Sequence, residues 1–276
     1  MNTILSFQNV ELNYHSQNGE TKALSDISFN VFDKEFIAIV GPSGCGKTTI
    51  LSLVSGILKP SSGVITISSF GDSGPKMPQT SKNFFAKLFS KKQATQNNIG
   101  YMFQRDHLFE WRSIWQNVCL GLEIQNKLNE DSIKYVESLL QKYGLWDFRN
   151  KYPRQLSGGM RQRVALIRTL ALCPQILLLD EPFSALDYQT RLNVCDDVHK
   201  IITTEQKTAI LVTHDISEAI SLADRIIILS ERPAIVRKII QVDLQEFGTP
   251  FHRRESPLFS TYFEKIWKEL ETKDAK

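Results

Sequence analysis

The stretch Phe36-Ile37-Ala38-Ile39-Val40-Gly41-Pro42-Ser43-Gly44-Cys45-Gly46-Lys47-Thr48-Thr49-Ile50-Leu51 decides how the rest of the chain is read. Its first five residues are all apolar and predict a buried parallel strand. Residues 49–54 predict a helix. Between them the glycines let the backbone curl close to a phosphate and aim its N–H groups inward. The helix turns its positive end on the same anion. Lys47 adds a full charge for β- and γ-phosphates, and the Thr48 hydroxyl can ligate Mg²⁺. A glycine-rich turn that binds nothing explains the glycines but not the Lys-Thr directly after them. The pattern implies a nucleoside triphosphate site. Its candidate binding residues are Gly41, Pro42, Ser43, Gly44, Cys45, Gly46, Lys47, Thr48 and Thr49.

Bulk properties exclude several classes. The chain has 276 residues, 42% hydrophobic and 23% charged, the balance of a soluble globular protein. A net charge of +3 is too small to argue for nucleic acid by itself. No apolar run approaches the ~20 residues of a membrane-spanning helix. Residues 1–6 lack the basic-then-apolar order of a signal peptide. Cys45, Cys119, Cys173 and Cys195 are scattered with no C-x-x-C, which fits reduced thiols better than disulfides or zinc.

Outward from the loop, residues 4–14 and 23–31 predict strands, with a polar turn over 15–21. Tyr14 closes the first strand, where an aromatic ring either stacks on a purine or is half-packed. A strand is expected at 64–67 and another at 99–103, stopping at Gln104. Helices are expected at 111–122, at 130–143 with Asn129 as N-cap and Gly144 after its end, and at 160–172. Ser157-Gly158-Gly159 stands directly before that last helix. It is either a plain cap or a second anion-binding helix end, one without a lysine. The apolar strand 176–179 ends in Asp180-Glu181. Ligand groups in open parallel sheets come from strand carboxyl ends, so Asp180 is placed to hold Mg²⁺ and Glu181 to polarise an attacking water. Strand 209–213 ends the same way in His214, a candidate for the γ-phosphate or that water. A further strand is expected at 225–229 and a terminal helix at 251–270.

Taken together, these motifs resemble an ABC transporter ATPase subunit over roughly residues 4–230. Gly41 to Thr48 falls at Walker A, Gln104 at the Q-loop, and Leu156-Ser157-Gly158-Gly159-Met160-Arg161-Gln162-Arg163 at the signature. Asp180 falls at Walker B, followed by Glu181, a D-loop Ser184-Ala185-Leu186-Asp187, and a switch His214. The resemblance implies an α/β fold: a P-loop NTPase cassette with a RecA-like parallel-sheet core, an N-terminal antiparallel β subdomain and a helical signature subdomain. It implies that ATP is held by Tyr14, the loop and Gln104 of one protomer. Ser157, Gly158 and Gly159 of a second copy, or of a paralogous ATPase, would complete the site. Asp187 joins the nucleotide set. Gln104 joins Thr48 and Asp180 around Mg²⁺, and joins Lys47, Glu181 and His214 in catalysis. Permease subunits and, indirectly, a substrate-binding protein are the implied partners, with the chain peripheral on the cytoplasmic membrane face and no nucleic acid.

Finer features resemble importers for nitrate, sulfonates, taurine or pyrimidine thiamine precursors. They include the run from Asp180-Glu181-Pro182-Phe183 to Asp187, Arg232-Pro233 in the tail, and Trp111 after the Q-loop, here preceded by Glu110 where that family usually has proline. The alternative is a soluble ABC ATPase acting on nucleic acid or a protein assembly. Neither the long heptad coiled coil nor the second cassette of such proteins is present in this sequence.

The expected organisation is an ATPase domain over 1–230, with a signature subdomain near 105–170, a basic insertion over 71–97 and an extension over 231–276. Within the insertion, Phe84, Phe85, Leu88 and Phe89 share a helical face ringed by Lys82, Lys87, Lys91 and Lys92. It is either a surface that meets anionic lipid or permease, or a loop or helix that serves its own domain. Cys45, beside Lys47 and a helix N-terminus, is expected to have a lowered thiol pKa and to be alkylated in competition with ATP.

Overall fold

Period-two patterning builds a small antiparallel sheet at the start of the chain. The computed structural model describes residues 2–16, 19–68 and 99–271. Strand β1 (Thr3–Ser16) pairs with β2 (Gly19–Phe32), while β3 (Phe36–Val40) leaves for a second sheet. Helix α1 (Lys47–Val54) follows, and β4 (Ser62–Ile67) returns to the free side of β1. The hairpin ladder continues through His15↔Glu20 to Ser16↔Gly19, so the turn expected over 15–21 is mostly strand.

The second sheet has six strands. Its remaining members are β5 (Ile99–Met102), β6 (Ile176–Asp180), β7 (Thr208–Val212), β8 (Arg225–Leu229) and β9 (Val236–Gln241), in the order β5-β6-β7-β3-β8-β9. Neighbours run parallel except β8 and β9. Every residue of β3, β6 and β7 is buried. That is the signature of a parallel sheet covered on both faces.

Alternation divides the two faces. Ile37, Ile39, Leu178, Ile210, Val212 and Ile227 pack with α1 and the small sheet. Ala38, Val40, Leu177, Leu179, Leu211 and Ile228 face the other helices. Those helices are α2 (Ile114–Ile124), α3 (Glu130–Lys142), α4 (Gly158–Leu170), α5 (Tyr188–Thr204), α6 (Ile216–Leu222), α7 (Pro250–Arg253) and α8 (Pro257–Glu271). The architecture is the expected one: a parallel core, an antiparallel β unit and a helical face.

Several boundaries differ from expectation for local reasons. Helix α2 starts at Ile114, not 111, because Ser113 and Gln116 form a reciprocal capping box; Trp111 stays outside it, 74% exposed. The single terminal helix expected from 251 is two, the second opening at Pro257. Strand β9 was not expected at all. It extends the sheet antiparallel, and Ile266 of α8 is buried in the helical-face core beside it. The basic insertion, including its lysine and phenylalanine face, lies outside the described residues.

Asn117 of α2 is fully buried, and its amide organises the loop that leads from Gln104 into that helix. It accepts from Phe109 N at 2.8 Å and donates to the carbonyls of Phe109, Arg112 and Ser113 at 3.0 to 3.1 Å. Removing it strands buried peptide groups. Asn117→Ala is therefore expected to lower unfolding free energy by about 2–4 kcal/mol. Urea denaturation checks this, and a shift below ~1 kcal/mol contradicts it.

Candidate functional site

The register of the large sheet sets its carboxyl edge. Asp180 stands opposite Val212, and Val212 opposite Ile39, so the residues that follow β3, β6 and β7 emerge side by side. The glycine-rich loop, Asp180-Glu181 and Thr213-His214 therefore share one edge, as the sheet geometry demands of a ligand site.

The loop after β3 is tightly turned. Gly44 and Gly46 have φ of +77° and +122°, which only glycine adopts freely. A Cβ on Gly46 would lie 2.8 Å from Leu24 Cδ2. Lys47 is buried, and its ammonium donates to the carbonyls of Gly41 at 2.8 Å and Pro42 at 3.0 Å. The positive charge thus sits inside the loop. Helix α1 has Gly46 as N-cap and no side chain over its first N–H groups, which leaves those donors available to an anion. Ser43 and Gly44 are exposed at the crown and Pro42 is half-buried. Tyr14, 40% exposed at the end of β1, meets Thr49 hydroxyl to hydroxyl at 3.2 Å, so its ring borders the first turn of α1.

Asp180 joins three elements. Its Oδ1 accepts from Thr48 Oγ1 at 3.1 Å and its Oδ2 from the Tyr101 hydroxyl at 3.0 Å. Burial pushes its carboxyl above the ordinary range, and the two hydroxyls oppose that rise. Thr48 and Asp180 present hard oxygens within one ligand's width of each other. That donor set fits Mg²⁺, which takes one or two protein oxygens and completes its shell from phosphates and water. Among the described residues no group of three or more His, Cys, Asp or Glu could hold a metal by itself.

Tyr101 is a contact that sequence reading missed. The sequence presents it only as a strand residue, although a half-buried phenol needs a partner for its hydroxyl. Its place on β5, paired with Leu178 two residues before Asp180, supplies that partner.

Glu181 sits at φ +45°, an unusual conformation for a non-glycine residue and of order 1–3 kcal/mol strained. Its N–H is pinned to Val212 O at 2.9 Å, and its Oε2 lies 3.1 Å from His214 Nδ1. The imidazole is 57% exposed, at the mouth of the edge. Behind it, Thr213 donates to the buried Glu218 at 2.7 Å, and Asp215 caps α6. Gln104 does not meet Asp180 directly in the hydrogen bonds present. Its amide donates to Ser184 Oγ at 3.3 Å, and Ser184 donates to the Glu181 carbonyl at 3.0 Å. Asp187 caps α5 by accepting from Thr190 N, and hydrogen bonding from the Thr190 hydroxyl first and its N–H second holds the Asp187 carboxyl below the usual range.

Ser157 and its glycines stand apart from this cluster. Ser157 caps α4 through Met160 N, and both Ser157 and Gly158 are exposed. A Cβ on Gly158 would lie 3.1 Å from Leu186, and one on Gly159 would lie 2.8 Å from Val194. The glycines let the helix tip lie against the 184–187 loop and α5. Among the described residues no hydrogen bond or ion pair joins Ser157, Gly158 or Gly159 to residues 41–49. Arg161 holds Asp106 at 2.8 and 3.2 Å and Glu110 at 2.8 Å, while Arg168 donates to the carbonyls of Asp106 and His107 at 2.7 Å. Helix α4 is thereby tied to the segment directly after Gln104.

A family model described as "ABC transporter" matches residues 24–184. An uncharacterized ABC transporter ATP-binding protein, YtlC of Bacillus subtilis, is 43% identical across 97% of this chain and 96% of its own length. The aliphatic sulfonates import ATP-binding protein SsuB of Bacillus licheniformis is 39% identical across 92% of this chain and 89% of its own. A solved dimer of the ATP-binding cassette MJ0796, bound to ADP and Pi, superimposes with a TM-score of 0.67 at 28% identity, covering 87% of this chain and 99% of that one.

Cys45 corrects the expectation of a reactive thiol. It is 2% exposed, and burial pushes its thiol up against the opposing pull of Lys47. The ammonium that was to activate it is turned onto the Gly41 and Pro42 carbonyls. Cys119 and Cys195 are buried too, and Cys173 is exposed. Titration of the native protein with an aromatic disulfide reagent is expected to release one thiol equivalent per chain, abolished by Cys173→Ser. Rapid, ATP-protected labelling of Cys45 would contradict this.

Proposed function

The chain belongs to the ABC transporter family, as an ATP-binding ATPase subunit, and from that premise we propose that it powers uptake of a small solute through ATP-driven closure of a dimer. The observation that carries the catalytic half is the Glu181–His214 contact of 3.1 Å, on the edge that also holds Lys47. Lys47 and the free N–H groups of α1 bind the phosphates. Glu181 accepts a proton from the attacking water, and His214 orients that carboxylate and lies at the γ-phosphate. Tyr14 stacks on the base. Thr48 and Asp180, joined by Gln104, would hold Mg²⁺, which would supply positive charge to the phosphates.

One chain offers two helix ends for phosphate but only one lysine. A second protomer bringing Ser157, Gly158 and Gly159 onto the γ-phosphate completes the site and makes ATP the adhesive between the copies. Hydrolysis then removes the contact that favours closure. The dimeric MJ0796 cassette supports this arrangement. Similarity to SsuB supports import of a sulfonate-like anion as substrate class, with nitrate, taurine and pyrimidine thiamine precursors in the same group of relatives by resemblance. No helix among the described residues is long and apolar enough to cross a membrane. Similarity to import ATP-binding proteins supports permease partners that carry the solute path, with this chain peripheral at their cytoplasmic side.

Lys47→Ala is expected to weaken ATP binding ten- to a hundredfold, about 1.5–3 kcal/mol for a charge-assisted phosphate contact. Calorimetric titration measures it, and unchanged affinity removes Lys47 from the site. Glu181→Gln is expected to keep ATP affinity, lower turnover by at least about a hundredfold and give an ATP-dependent dimer in light scattering. Normal turnover would remove Glu181 as base. A strict monomer at saturating ATP, alone and with the permease, would remove the sandwich.

A further inference from the structure

The phosphate loop is braced by the tail segment that carries Arg232-Pro233. After β8 the chain makes a tight turn over 230–235. Ser230 is buried, donates to the Glu231 carbonyl at 2.8 Å and accepts from Ile235 N at 3.0 Å. Ala234, also buried, is stitched to β2 by two backbone bonds, Ala234 N to Ala23 O at 2.9 Å and Ser25 N to Ala234 O at 2.8 Å. The same two elements touch the loop. Leu229 Cβ would lie 3.1 Å from a Cβ on Gly41, and Leu24 presses on Gly46. From this fixed turn Arg232 reaches back across 188 residues of sequence, and its Nη2 donates to the Gly44 carbonyl at 2.7 Å.

We propose that Arg232 is a positioning residue of the nucleotide site, holding the Gly44–Cys45 peptide in the orientation that phosphate binding needs. In a trans peptide the carbonyl and the next N–H point in opposite directions. Pinning the Gly44 oxygen to the exposed guanidinium therefore directs the Cys45 N–H to the inner side of the loop. There it meets the Pro42 carbonyl at 3.3 Å, a long hydrogen bond that a phosphate oxygen can replace. Gly44 needs this restraint. At φ +77° it has no side chain of its own and open space within 4 Å of where its Cβ would be, so packing at that Cβ position does not restrain it. A charge-assisted donor is the strongest single restraint that an exposed carbonyl can receive.

This inference rests on the nucleotide-site reading and goes beyond it, so the test separates the two. ATP and ADP binding to the full-length chain is measured calorimetrically for wild type, Arg232→Ala and Arg232→Lys, with hydrogen exchange followed without nucleotide. Arg232→Ala is expected to raise Kd for both nucleotides five- to tenfold, because loop contacts serve ADP and ATP alike, and to raise KM while kcat at saturation stays within about twofold. Exchange at residues 43–47 speeds up, while exchange at the Ser25 and Ala234 amides is unchanged, which general destabilisation would not produce. Arg232→Lys, which keeps one donor, recovers at least half the loss and carries the test if the alanine variant folds poorly. Wild-type binding with Kd within twofold in both variants overturns the brace and leaves the nucleotide site standing. A kcat loss at unchanged Kd also overturns it, by moving Arg232 into turnover. A wild-type chain that binds neither nucleotide overturns the parent reading together with this one.

Discussion

Burial on both faces of β3, β6 and β7 is the constraint on which the rest depends. All five positions of each strand are inside, so no polar group can be placed along them without a partner. Polar chemistry is forced to the places where the strands stop. Asp180 ends β6, Glu181 follows it, His214 follows β7 by two residues, and the glycine-rich loop follows β3. Because the strands are parallel and in register, these ends coincide. The edge is a consequence of the hydrophobic interior before it is a site.

The second consequence is a division of labour between faces. Odd and even positions of the same strands bury α1 on one side and the longer helices on the other. Helix α1 is thereby fixed between two sheets, and its N-terminus cannot shift relative to Asp180 without disturbing both. Thr48 and Tyr101 reinforce this, one from α1 and one from β5, each holding one oxygen of the same carboxylate. Opposing influences act on that group: burial disfavours its charge while the Tyr101 and Thr48 hydroxyls favour it. The donors are what make a buried anion tolerable at this position.

Much of this was legible from the sequence because it lies in uninterrupted runs. The apolar strands, the glycines, Lys47-Thr48, Asp180-Glu181 and His214 announce themselves by position relative to a strand end. Asn129 and Gly144 bound a helix by cap chemistry alone. What stayed illegible depends on pairing across distance. Tyr101 looks like any strand aromatic until β5 is laid beside β6. Gln104 enters the site by resemblance alone, and its link through Ser184 to the Glu181 carbonyl shows only once the fold is built. Cys45 was misread because a nearby lysine and helix end lower a thiol pKa only when the thiol is solvated. Here the thiol is buried and the lysine is turned onto carbonyls. Strand β9 carries no clean alternation and forms because β8 offers an edge.

The two helix ends of the chain differ in a way that bears on motion. The end of α1 is locked between sheets and carries its own cation. The end of α4 carries no lysine, stands exposed at Ser157 and Gly158, and is anchored by Arg161 and Arg168 to residues 106–110. A force on Ser157 is therefore passed through guanidinium bonds to the segment between Gln104 and the exposed Trp111. On the proposed reading, that force comes from a nucleotide held by the other protomer, and Trp111 lies where a permease is met. Glu110 then acquires a role that proline in its place could not fill. Its carboxylate adds a third contact to Arg161, so the loop is tied to α4 by charge where a proline would only have stiffened it.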